Sequence, residues 1–395
     1  MKKLMYVIVA ISFLDMFVQF PIMSPLALSL GASSATIGLV MGSYSFTNLF
    51  GNVLAGIWVD RYGAKKIFVL GMLSTAFVIL LYIWVSTPFQ LIIVRLLHGL
   101  ISGLLTPSIF TWVSQMRKED QNLQGKNMAF SGAAVGVAAV LGPAFSSLIM
   151  AGIGIHAVFY FMSILLLITG IICALFIRGR QNNPRSRTLH HSSQTDEQKN
   201  EWKVLTSYLP GLVLPYIGSF SLMCVMGVLT YMLPIKVQEL GLDIKTGGLM
   251  LSTFGFVAVL FFVLPSNRIF DRFSLNTILI TGFIFLTAAL WMLYFFSQEV
   301  LLYMAMGVYG LGFACIFPAI TKQLVEHIPD EVRGKAFGLF YAIFSIGVVV
   351  GSVLVGMLTT SVDDGFKLAA MSLTVLCPVL LILTKQIPSK IAVKA

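Results

Sequence analysis

Residues Gly56 to Lys66 read GIWVDRYGAKK, and they interrupt two long apolar runs. The run before them closes on Asp60 and Arg61. A glycine follows at Gly63, then Lys65 and Lys66, and the apolar run resumes at Ile67. So many charges in so short a stretch make a tight polar turn. On either side lie about twenty mostly apolar residues, the length that crosses a bilayer as a helix. The stretch therefore joins two membrane-crossing helices, and the rest of the chain says how many more there are.

The 395 residues are 57% hydrophobic and 11% charged. Soluble domains carry roughly 25% charged residues, so this chain cannot cover its surface with polar groups. The long unbroken apolar runs predict an all-α membrane protein, and the alternating pattern of an outer-membrane barrel is absent. Twelve transmembrane helices are expected at about 4–28, 35–57, 67–86, 89–114, 127–150, 155–177, 206–229, 246–265, 275–297, 300–322, 334–358 and 366–386. Asp15 breaks the first of these and eleven follow it, which argues against a cleaved signal peptide.

Charge sets the orientation. With the N-terminus in the cytoplasm, Lys236, Lys245 and Lys367 fall outside and Arg95 within a span. The other 22 of the 26 Lys and Arg then lie on the cytoplasmic side. The positive-inside rule favours this topology, with both termini cytoplasmic, and it accounts for the net charge of +10 without nucleic acid. Cys173, Cys224, Cys315 and Cys377 sit in apolar runs and suggest neither a metal site nor a disulfide framework. No metal and no cofactor are expected.

The polar segment from Arg178 to Lys203 reads as a cytoplasmic linker, and His190 and His191 fall in it as solvated residues. It divides the chain into an N-terminal six-helix bundle (1–177), a linker (178–205) and a C-terminal six-helix bundle (206–395). The halves repeat. Gly125 and Lys126 lie 209 residues before Gly334 and Lys335, and Gly142 lies 209 before Gly351. Asp60 of DRYG has an echo in Asp271 of DRFS. Such parallel repeats are related by an axis along the membrane normal.

Asp15 is the acidic residue inside a span, and Arg95 the basic one. Buried charge is costly in a membrane, so each is a functional candidate by default. Counted from the span ends at ~1.5 Å per residue, their heights agree to within ~4 Å. A direct or water-bridged interaction is therefore expected. Gln19, one turn beyond Asp15, and Asn48 line a cavity or tie helices together. His98 reads first as a satisfied interhelical histidine, second as part of a proton relay.

The loop quoted first resembles the signature loop of the major facilitator superfamily, with Gly56, Asp60, Arg61, Gly63, Lys65 and Lys66 at that family's spacing. The resemblance implies a gating loop, with Asp60 against the positive N-terminal end of span 11 near Gly334. RLLHG, Arg95 to Gly99, is similar to the family's Arg-x-x-x-Gly element. Span 5 carries Gly132, Gly136, Gly142 and Pro143, which resemble its antiporter motif. Ser146 and Ser147 stand where that motif has two glycines, and Ala138 replaces another. The resemblance implies a pseudo-symmetric fold of two six-helix bundles around a central cavity. It also implies an exporter of the twelve-span drug:proton antiporter branch, in which Asp15 and Arg95 couple protons to transport.

Tyr216, Phe220, Tyr309 and Tyr341 are candidates for the cavity wall of the C-terminal half and would suit apolar cargo. The expected function is proton-coupled export of small hydrophobic or amphipathic compounds by alternating access. The alternative is export of one secreted metabolite, such as a siderophore or other metallophore. Proton-coupled nutrient uptake fits the span 5 motif less well. Neither a nucleophile–base pair nor a phosphate-binding loop suggests an enzyme. The partners expected are a small-molecule substrate, protons and lipid, in a bacterial cytoplasmic membrane, with the chain acting as a monomer.

Overall fold

The computed structural model describes residues 2–115, 121–176, 194–264, 269–329 and 332–386, and all regular structure among them is helical. The N-terminal bundle holds α1 (Lys2–Gln19), α2 (Met23–Ser29), α3 (Ser34–Tyr62), α4 (Ala64–Leu81), α5 (Pro88–Ser102), α6 (Leu105–Gln115), α7 (Gln121–Ile153) and α8 (Ile155–Phe176). The C-terminal bundle holds α9 (Gln194–Glu239), α10 (Ile244–Val263), the short α11 (Ile269–Arg272), α12 (Leu275–Phe295), α13 (Glu299–Glu326), α14 (Arg333–Leu358) and α15 (Val362–Gln386).

Two crossings are broken. α1 and α2 form one, interrupted by a turn at residues 20–22, where Pro21 has no N–H to donate. α5 and α6 form another, interrupted at Gly103 and Leu104. Among the described residues, eleven crossings are both long and apolar enough for a bilayer. α3, with 29 residues, is long enough, but Tyr44, Thr47, Asn48 and Asn52 dilute its apolar character. Exposed Phe77, Ile153, Leu175 and Val375 give the molecule the apolar outer surface a lipid environment requires.

Three boundaries differ from the sequence expectation. α3 continues to Tyr62, so Asp60 and Arg61 belong to its last turn and only Gly63 separates it from α4. Helical hydrogen bonding does not stop where apolar character does. Gly63 has φ +92°, a conformation that side chains oppose, while its N–H still reaches the Val59 carbonyl at 2.9 Å. α9 begins at Gln194, inside the expected linker, and the part of that linker at 177–193 lies outside the described residues.

The third difference is chemical. Lys236, expected in an outer loop, lies in the last turn of α9 and is buried. Arg95 is therefore not the only basic side chain buried in a span. Lys236 survives there because its Nζ donates to Asp363 Oδ1 of α15 at 2.7 Å and to the Leu293 carbonyl of α12, beside the Phe366 ring. A stem of four methylenes lets the ammonium find these partners while the helix stays apolar.

The bundles meet along two seams. In one, α3 packs on α14, and a Cβ added at Gly38 would lie 2.5 Å from the Ser352 carbonyl. In the other, α7 packs on α10, with Gly248 against the Pro143 carbonyl. Tyr231 adds a hydrogen bond from its hydroxyl to the Ser34 carbonyl at 2.8 Å. Along the first seam the contacts run from Ser34 and Gly356 to Gly42 and Val349. Phe46 and Ile346, one turn further, are exposed, so the helices part there. The molecule is closed at the Ser34 end and diverges toward the Gly63 end.

Candidate functional site

The N-terminal bundle contains a connected polar cluster, drawn from four elements. On α1, Asp15 and Gln19 lie one turn apart, while Ser12, one turn before Asp15, donates back to the Ile8 carbonyl at 2.6 Å. On α5, Arg95, His98 and Ser102 follow one another at helical spacing, and on α3 so do Tyr44, Asn48 and Asn52. The fourth element is the short turn at Tyr82–Trp84 that closes α4.

Asp15 is 2% exposed. Its Oδ2 lies 3.0 Å from His98 Nε2, and its Oδ1 accepts from Gln19 Nε2 at 3.0 Å. His98 is fully buried, and its Nδ1 lies 3.0 Å from the Tyr82 hydroxyl. Gln19 accepts from Arg95 Nη1 through its Oε1. Arg95 also donates from Nε to the Val40 carbonyl at 3.1 Å, and its guanidinium lies 4.8 Å from the Tyr44 ring centre. Asp15 and Arg95 thus share one network with the Gln19 amide between them. The expected proximity exists, and the bridge is a side chain.

The direction in which Asp15 points is decisive. Its partners, Gln19 and His98, come from α1 and α5, and a void of about 10 Å³ lies against it. That void is lined by Asp15, Gln19, Tyr82, His98, Phe159 and Met162 with Ile79 and two α1 and turn aliphatics, all of the N-terminal half. Its size is about that of one water, and three ionisable side chains border it. In this conformation the carboxylate faces the bundle interior and not the space between the halves. A buried carboxylate is tolerable only when hydrogen-bonded and compensated, and this one accepts from Gln19 at one oxygen, meets the His98 ring nitrogen at the other and has a guanidinium beyond.

Asn48 ties α3 to α5 by donating to the Gly99 carbonyl at 3.2 Å and to Ser102 Oγ at 3.3 Å. Gly99 is required at this crossing, since a Cβ there would fall 2.1 Å from the Tyr44 carbonyl. The charged turn is a helix-end device. Lys65 Nζ donates to the Ala174 carbonyl at the end of α8 at 3.0 Å, where a cation suits the helix dipole. Gly56, Asp60, Arg61 and Lys66 are exposed around the Gly63 turn. The expected approach of Asp60 to Gly334 lies outside the described residues.

On α7, Gly136 and Pro143 face the other half and Gly142 faces Phe17 of α1. The surroundings of Gly132 lie outside the described residues. Beside the proline, the Ala144 N–H donates to Ser252 Oγ of α10 at 2.9 Å, and Ser147 Oγ donates to the Lys245 carbonyl at 3.2 Å. Of the two serines that stand in for motif glycines, Ser147 therefore hydrogen-bonds across the α7–α10 seam, while Ser146 Oγ donates within α7 to the Pro143 carbonyl at 3.1 Å.

The C-terminal candidates are not gathered into one site. Tyr309 is fully buried against Phe254, and Tyr216 is buried with its hydroxyl 3.3 Å from the Ala336 carbonyl. Phe220 is half-buried and Tyr341 is exposed beside Phe337, Phe340 and Phe344. Sequence reasoning passed over Tyr44, Tyr82, Ser102 and Lys236. For Tyr44 and Ser102 a signal existed: each continues a polar stripe at i+3 or i+4 spacing from a residue already singled out. For Tyr82 and Lys236 there was none.

The Major Facilitator Superfamily family model matches residues 5–243 and again 215–392, two overlapping matches that together span nearly the whole chain. Multidrug resistance protein 1 of Bacillus subtilis is 24% identical, over 92% of this chain and 91% of its own. An uncharacterized MFS-type transporter of Methanocaldococcus jannaschii is 23% identical, over 86% of both chains. Among solved structures, a D-xylose-proton symporter superposes with a TM-score of 0.79 at 16% identity, covering 98% of this chain and 97% of its own.

Proposed function

Since this chain belongs to the major facilitator superfamily, we propose that it exports small hydrophobic or amphipathic compounds in exchange for protons, with Asp15 as the proton-binding group. Its coarser function follows from the family: it is a multi-pass membrane protein and a secondary transporter working by alternating access, not an enzyme. The proton coupling and the cargo are our reading.

The buried Asp15–His98–Gln19–Arg95 network carries that reading. A chain that only needed to hold helices together would have little reason to bury an acid, a base and a guanidinium in one place. Replacing such groups by packed apolar residues is often neutral or stabilising. Protonating Asp15 cancels one charge in this low-dielectric cluster and weakens its hold on Gln19 and, through it, on Arg95. Arg95 also holds the α3 backbone at Val40 and Met41, next to the seam glycine Gly42. Proton occupancy at Asp15 is thereby linked to the seam that opens and closes.

Export is supported by the span 5 motif at the α7–α10 seam and by the relatives named for multidrug resistance. With both termini in the cytoplasm, the closed Ser34 end faces outward and the divergent Gly63 end faces inward, so that cargo is received from the cytoplasm. The test is an everted-vesicle assay with an imposed pH gradient and ethidium as probe, comparing wild type with Asp15→Asn. The variant is expected to insert normally and to lose gradient-driven ethidium accumulation. Full accumulation by the variant would remove Asp15 from the mechanism. A deletion strain that lost one secreted product, with unchanged drug tolerance, would instead mark a dedicated metabolite exporter.

A further inference from the structure

The geometry points to His98 as a second proton-holding group: the ionisable unit is the Asp15–His98 pair, with Tyr82 as the partner that lets His98 take the proton. This rests on the reading of Asp15 given above and deepens it, because it says where the proton resides.

Tyr82 and Asp15 lie on opposite sides of the imidazole, one at each ring nitrogen, both at 3.0 Å. With Asp15 ionised, Nε2 carries the hydrogen and donates to Oδ2, so a neutral ring must accept at Nδ1 from the Tyr82 hydroxyl. The chain then runs from Tyr82 O–H to His98 Nδ1, and from His98 Nε2–H to Asp15. Adding one proton at Nδ1 requires only that the Tyr82 hydroxyl rotate from donor to acceptor. Its hydrogen has somewhere to turn, since Tyr82 borders the water-sized void with Asp15 and His98. The product is an imidazolium paired with a carboxylate. Moving the Nε2 hydrogen to Oδ2 gives the other form, a neutral acid and a neutral ring protonated at Nδ1. One proton enters, no other bond is made or broken, and both forms keep every hydrogen bond of the chain. A structural histidine needs a partner at each nitrogen, but those partners need not include one that can ionise and one that can reverse its direction.

The surroundings complete the case. The charged and titratable groups facing His98 are Asp15 from α1, Tyr44 from α3 and Tyr82 from the α4 turn, and Arg95 on its own helix reaches Asp15 through Gln19. From α8 the void meets only Phe159 and Met162, which do not titrate. Asp15 is therefore the single carboxylate in the described surroundings that can stabilise an imidazolium here. Two groups coupled this closely share their titration, so a change in one must move the other.

That coupling is the test, and it needs no cargo. Purified protein in lipid nanodiscs, labelled with 15N at histidine, is titrated from about pH 5 to pH 9, the range in which imidazole changes charge. The His98 signal is assigned by its loss in His98→Gln. In Asp15→Asn the His98 midpoint is expected to fall by about one unit or more, because the imidazolium loses its counter-charge. An unchanged midpoint would make His98 a mere helix tie and overturn the inference. Tyr82→Phe provides an independent check should Asp15→Asn not fold: with the Nδ1 partner gone, the midpoint is expected to move, and a static one would again overturn the proposal. The two readings fail separately. If Asp15→Asn abolishes gradient-driven transport while His98→Gln keeps the wild-type pH profile, Asp15 stands and His98 falls. If Asp15→Asn transports normally, the reading of Asp15 falls first.

Discussion

The two halves of this molecule are built on one plan and filled with opposite chemistry. Position for position, Asp15 of α1 corresponds at the repeat offset of 209 residues to Cys224 of α9. At the same offset His98 of α5 falls on Gly307 of α13, and the nearest polar side chain there is Tyr309, two residues on. In the N-terminal half this pair is an acid and a base joined at 3.0 Å. In the C-terminal half it is a thiol and a phenol in the same neighbourhood, and the Tyr309 hydroxyl is buried without a hydrogen-bond partner. The helices around Tyr309 present Phe254, Phe313 and Phe317 in successive ring contacts. Close helix packing is common to both halves, and among the described residues the buried acid–base network lies in one of them. The lesson is that pseudo-symmetry in a membrane bundle constrains size and backbone approach far more than it constrains charge.

The sharpest way to break the comparison is at an ion pair of the C-terminal half, buried Lys236 with half-exposed Asp363. Removing the acid by Asp363→Ala leaves the buried ammonium with the Leu293 carbonyl and the more distant Glu239, and is expected to cost about 2 kcal/mol, below the loss for a fully buried pair because Asp363 is half-exposed. Lys236→Met should cost far less, since it removes the buried charge itself. Thermal unfolding in detergent would rank them, and equal losses would show that the pair does not act as a buried charge.

Next is Arg95→Lys. Arg95 uses three nitrogens on three acceptors and stacks on Tyr44, which a lysine cannot reproduce. A loss of about 2 kcal/mol is expected, together with impaired gradient-driven transport. Wild-type behaviour of this variant would mean that only the charge matters.

The smallest effects contrast two buried tyrosine hydroxyls, one in each half. Tyr82→Phe deletes the group that satisfies His98 and should cost about 1 kcal/mol. Tyr309→Phe deletes a hydroxyl with no partner and should be neutral or slightly stabilising. If the order came out reversed, the polar network would not be confined to the N-terminal half.

Much of the fold was legible because its signals are local. Apolar run lengths predicted the spans, and the glycine between Asp60–Arg61 and Lys65–Lys66 marked the turn that Gly63 makes at positive φ. The boundaries that moved did so for a common reason. A helix ends where its hydrogen bonds end, so α3 carries Asp60 past the apolar edge and α9 carries Lys236. Of the site, the sequence pointed to Asp15, Gln19, Arg95, Asn48 and His98 one by one, since each is polar where apolar residues prevail.

By itself, then, the sequence determined that this chain is a bundle of membrane helices in two related halves, and how high along its helix each polar residue stands. Rise per residue is fixed, so height can be counted. Which residues meet was decided only by tertiary packing. Helix rotation and neighbour identity brought His98 to Asp15, placed Gln19 between Asp15 and Arg95, and supplied Tyr82 from the end of another helix. They also turned the carboxylate toward the interior of its own bundle. Those choices depend on the close approach of backbones at Gly99 and Gly142, contacts between segments far apart in the chain that no local pattern encodes.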